Sequence, residues 1–183
     1  LVSYVVVGYA ALVFSEVFLV AAPGVPPAVS TFWGAGHPGR ISCLLKAGGV
    51  LSLGLGIGLY IVMFLFGESF YAIFLPGQPD LLAATVENSR FYFLFLPFAA
   101  LNILIGNFLQ AMQQVKRSLA VSLSRSTVPL FVFLLVLPAL LPGLGLWLAV
   151  SFTEAFTLAV GVLLWKSLRL PGETRARQQG KAA

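Results

Sequence analysis

The sequence predicts an all-α membrane protein, a polytopic helical bundle of about five transmembrane helices, and three observations carry that prediction. Of its 183 residues 59% are hydrophobic and only 9% are charged, with a mean hydropathy of +0.97; soluble domains carry about a quarter of charged residues. The apolar residues stand in long continuous runs parted by short polar corners, without the alternating faces of a soluble core. Lysine and arginine gather in every second corner, as a chain threading a bilayer requires.

Taken in order, the spans fall at about 2–33, 41–66, 88–112, 118–140 and 145–166, each long enough at about 1.5 Å per residue to cross a hydrocarbon core of about 30 Å. The first carries Pro23, Pro26 and Pro27, and a bend is expected near Pro23. The second is rich in glycine, with Gly48, Gly54, Gly56 and Gly58 suited to close helix packing. The third opens on the aromatic run Phe91, Tyr92, Phe93 and Phe95, suited to an interfacial belt, and bends at Pro97. Residues 1–166 thus form the transmembrane part, and residues 167–183, polar, small and basic, form a disordered tail. The chain opens on Leu1 without an initiator methionine, a basic flank or a signal-peptide pattern, and is expected to be a piece of a longer protein.

Charge sets the expected orientation. Arg40 and Lys46 flank the first connection, Lys116 and Arg117 occupy the third, and Lys166, Arg169, Arg175, Arg177 and Lys181 crowd the tail. The second connection carries Glu68, Asp80 and Glu87, and the fourth is uncharged. The positive-inside rule then puts the first and third connections and the tail in the cytoplasm, and the amino end outside. The expected location is the plasma membrane, which in a prokaryote is the inner membrane. Topology and lipid headgroups account for the net charge of +5. The expected partner is membrane lipid, and no nucleic acid is called for.

Ionisable groups inside a bilayer cost about 2.5 to 3.5 kcal/mol on insertion scales, so each needs a partner, a wet cavity or a function. Glu16, near the middle of the first span, has no basic residue at matching depth and reads equally as a structural or an ion-coupling acid. Arg125 lies about 12 Å into the fourth span and Glu154 roughly 18 Å from the cytoplasmic end of the fifth. Two readings stand for Glu154: an ion pair with Arg125 that fixes helix register, or a site for a transported cation or proton. Asn102, Asn107 and Gln110 on the third span serve either as interhelical hydrogen-bonding groups or as the lining of a polar path, with Asn102 placed just past the Pro97 bend.

The corner STFWGAGHPGR holds the only histidine, His37, and the single cysteine, Cys43, follows it. One of each makes neither a metal cluster nor a nucleophile with its base, and GAGHPG lacks the strand and lysine of a phosphate loop. Neither a catalytic residue, a metal site nor a bound cofactor is expected, and the chain is not read as an enzyme. The corner reads as a turn, with Trp33 anchored at the interface.

The order of PPAVSTFWGAGHPGRI, a glycine-rich helix, YFLFLPFAALNILIGNFLQAMQQVKRSLAVSLSRSTVPL and GLGLWLAVSFTEAF resembles the carboxy-terminal part of the multidrug and toxic compound extrusion (MATE) transporters, up to about Lys166. The resemblance implies most of the second lobe of a two-lobe, twelve-helix transporter, the first lobe preceding it in the same chain. It further implies a secondary antiporter that exports drugs, metabolites and other small organic substrates, chiefly cations, in exchange for H+ or Na+ by alternating access. Residue by residue, Gly34, Ala35, Gly36 and Arg40 match the family's cytoplasmic corner, Gln110 the amide after the tenth helix, Arg125 the eleventh-helix arginine and Glu154 the twelfth-helix acid. Some members carry a carboxylate in the middle of the tenth helix, where this chain has Asn102, Asn107 and Gln110. The transport and ion-coupling candidates are therefore Glu16, Asn102 and Glu154, with Asn107, Gln110 and Arg125 as a polar network. Two other functions stand beside this one: a flippase for lipid-linked saccharides of related architecture, and a non-transporting membrane subunit.

Overall fold

The computed structural model describes residues 2–21, 25–125 and 127–168. They form eight helices: α1 (Val2–Ala21), α2 (Val25–Gly34), α3 (Pro38–Ala72), α4 (Pro79–Tyr92), α5 (Phe95–Ala111), α6 (Val115–Ser124), α7 (Thr127–Leu140) and α8 (Gly145–Lys166). No strand occurs among the described residues. Among the described residues four stretches, Pro38–Ala72, Pro79–Ala111, Val115–Leu140 and Gly145–Lys166, are long and apolar enough to cross a membrane, and Val2–Phe18 of α1 adds a shorter apolar helix.

Proline explains most of the boundaries. Pro38 and Pro79 stand in the first turns of α3 and α4, where a missing N–H costs no helical bond. Pro26 and Pro27 lie in the first turn of α2, while Pro23, where the bend was expected, lies outside the described residues. Pro97 has no N–H to offer the Phe93 carbonyl four residues back, and the chain breaks there, between α4 and α5. Pro129 stands in the same relation to Arg125, where α6 ends; α7 begins at Thr127 after residue 126, which lies outside the described residues, so the stretch 118–140, read from sequence as one helix, is described as two. Two helices also run further than expected. α4 begins at Pro79 instead of 88, and α3, with 35 residues and hence about 52 Å of rise, runs to Ala72 instead of 66.

α5 lies at the centre, packed against α1, α2, α3, α6 and α8. The closest approach is glycine-dependent: a Cβ on Gly56 would stand 2.7 Å from the Pro97 Cα, so α3 passes the α4/α5 break only because that position is bare. Gly48 similarly lies against Leu104, whereas Gly54 and Gly58 face open space and have no packing role in this bundle.

Two apolar clusters divide the interior. One is rich in aromatic rings, with Tyr71, Tyr92, Phe93 and Trp147, and closes the end that carries Glu68, Asp80 and Glu87. The other joins Val29 and Ile41 of the first corner to Phe108 and Met112 before the third connection and to Leu168 after α8. The basic connections therefore share one end of the bundle. At the first corner Gly36 takes φ +70°, a conformation that favours glycine, and the N–H of His37 donates to Phe32 O at 3.0 Å. Gly34, Ala35, Gly36 and His37 are exposed there, and the Arg40 guanidinium lies 5.3 Å from the Phe32 ring centroid.

Candidate functional site: an acid between two helix breaks

α8 presents Ser151, Glu154 and Thr157, three residues apart, along one buried face. Each reaches a group exposed by an interrupted helix or the acid's own partners. Thr157 Oγ1 donates to the Ser124 carbonyl at 2.8 Å, satisfying an acceptor at the C-terminus of α6. Ser151 Oγ lies 3.3 and 3.4 Å from the carbonyls of Tyr92 and Phe91 at the end of α4.

Between them the Glu154 carboxylate, its side chain only 7% exposed, is held from two sides. Arg125 Nε donates to Oε1 at 2.7 Å, from the α6/α7 break. Asn102 Nδ2, from α5, donates to Oε2 at 2.7 Å and to the Glu154 carbonyl at 2.8 Å. A charged acceptor inside a bundle is tolerated on such terms, with a guanidinium and an amide both aimed at it. The arrangement also fixes the amide: turned over, Asn102 would point its oxygen at two acceptors. Asn102 Oδ1 itself is buried and has no hydrogen-bond partner among the described residues. Arg125 remains one-third exposed, so the pair spans from the interior to an accessible surface.

Of the residues singled out from sequence, Asn102, Arg125 and Glu154 come together here. Asn107 is half-buried and Gln110 exposed, and neither joins the cluster. Glu16 is exposed on α1, without a hydrogen-bond or ion-pair partner among the described residues, and stands apart from the cluster. Sequence reasoning missed Ser151 and Thr157, although their spacing from Glu154, three residues on either side, was a visible signal for a shared face.

A bundle of long apolar helices around a buried charged cluster defines an integral membrane protein of the polytopic helical class. The MatE family model matches residues 4–136, and the chain belongs to that family, whose members are transporters rather than enzymes. The matched stretch takes in Asn102 and Arg125 and ends before Glu154. Neither the curated proteins nor the solved structures gave a match to this chain.

Proposed function

We propose that this chain supplies most of the second lobe of a secondary antiporter that exports small organic cations, drugs or metabolites in exchange for H+ or Na+, the first lobe belonging to the same polypeptide. The observation that supports this reading is the buried Glu154, paired with Arg125 and Asn102 where two helices are interrupted. Discontinuous helices beside an ionisable residue near mid-membrane recur at ion and substrate sites of secondary transporters.

In this reading Glu154 is the coupling acid. Ionised, it holds Arg125 and thereby the joint between α6 and α7. A proton or Na+ arriving at the carboxylate competes with the guanidinium for the same charge, and Arg125, already partly exposed, moves toward water. Binding at the acid is thus translated into motion at a helix break, which is the kind of two-state element that alternating access needs. Glu16 is a second acid open to solute or to the other lobe. No cofactor beyond the coupling ion is required. The basic end of the bundle is assigned to the cytoplasmic side of the plasma membrane.

The test is efflux of a cationic dye by the intact transporter, driven by a proton or a sodium gradient and measured across pH. Glu154→Gln, which keeps the shape and one acceptor, is expected to cut efflux by an order of magnitude or more and to flatten its pH or Na+ dependence. Efflux with an unaltered ion dependence would remove Glu154 from coupling.

A further inference from the structure

A second feature lies on the outside of the bundle, away from the charged cluster. α3, α5 and α8 leave between them an open groove of about 240 Å³, walled by Leu45, Gly49, Leu104, Val162 and Trp165 and ending at Lys166. That volume exceeds the roughly 150 Å³ that accommodates a benzene-sized apolar ligand in a protein interior. One wall is open at Gly49, which has no side chain: a Cβ built there meets nothing within 4 Å. Its far wall is anchored, since Trp165 packs edge-on against the buried Phe108 with ring centroids 6.1 Å apart.

The single charge sits at the mouth. Lys166 is exposed and has no acidic partner among the described residues. A second cation is close by, for Arg117 Nη2 donates to the carbonyl of the next residue, Ser167, at 3.3 Å. The groove is therefore apolar along its length and positive at one end, and it opens on a surface of a chain whose helices cross a membrane. An occupant must match both properties at once.

We infer that this groove is a binding site for an anionic glycerophospholipid, with one acyl chain lying along Gly49 and Val162 between α3 and α8 and the phosphate at Lys166. Charge complementarity selects the headgroup, and the tryptophan and lysine in the last turn of α8 set its level, as interfacial anchors do.

The probe is a competition between phosphatidylglycerol and phosphatidylcholine of identical acyl chains, offered to the delipidated intact transporter in detergent and counted by native mass spectrometry. The wild type is expected to retain phosphatidylglycerol in preference. Lys166→Gln is expected to lower that preference about fivefold, the effect of one lysine near an anionic surface. Gly49→Leu fills the groove from within and is expected to reduce retention of both lipids while leaving the thermal midpoint in lipid-free detergent unchanged. Equal retention of the two lipids by the wild type overturns the assignment, as does retention unaltered in both variants, which is the result if another segment of protein covers the groove. Should Gly49→Leu fail to fold, the Lys166→Gln preference decides alone.

Discussion

Glu16 and Glu154 look alike in sequence, each a lone acid amid large apolar residues near the middle of a span, and they stand in opposite environments. Glu154 is nearly enclosed, receiving an amide from α5 and a guanidinium from the α6/α7 break. Glu16 shares the exposed side of α1 with Tyr9, Leu12, Val13 and Val17, while Val7, Ala11, Phe14 and Phe18 face the bundle. The difference teaches that depth along a helix is not burial within a fold. Which face is inward decides whether an acid must be paired, and pairing decides what its removal costs.

The largest contrast is expected from truncating the two acids. Glu154→Ala leaves Arg125 and Asn102 without their acceptor and should destabilise the protein by about 3 kcal/mol, read as a lowered thermal midpoint in detergent. A loss within about 0.5 kcal/mol would mean that the paired acid is no more structural than the exposed one. Asn102→Leu keeps the volume and removes one donor from the carboxylate, and a loss of about 2 kcal/mol is expected by the same measurement. Smaller again are the hydroxyls that satisfy the broken helices. Thr157→Val should cost about 1 kcal/mol, and Ser151→Ala less, because its contacts of 3.3 and 3.4 Å are longer than the 2.8 Å of Thr157. Glu16→Gln closes the series with a change of midpoint within about 0.5 kcal/mol, since no partner is lost; any effect it has on efflux would then be a transport effect and not one of folding.

How much of this was legible beforehand follows from what each signal encodes. Continuous hydrophobicity marks helices, so an all-helical membrane bundle could be read from composition and run length. The meeting of Arg125 with Glu154 was one of two readings left open by matched depth on antiparallel neighbours, and the 2.7 Å contact shows that pair. The third member, Asn102, was visible only as an amide past the Pro97 bend. Its acceptor lies 52 residues away, which no local pattern reports. The end of α6 at Arg125 was legible in Pro129, four residues on, and in the polar stretch SLSRST around it, although the apolar residues on either side read as a single span. The orientation of α1 was not legible at all, because a span apolar on every side carries no amphipathic signal. Glycine misled in the same way: Gly48 and Gly56 are bare because another helix passes, Gly54 and Gly58 are not, and only tertiary packing distinguishes them.

The most direct test of the account is a double-mutant cycle read in ion-driven efflux, comparing Arg125→Gln, Glu154→Gln and the pair. If the two residues act as one unit, each single variant lowers efflux and the double variant is no worse than the poorer single. Losses that multiply, as for independent sites, would contradict the claim that binding at Glu154 acts by releasing Arg125.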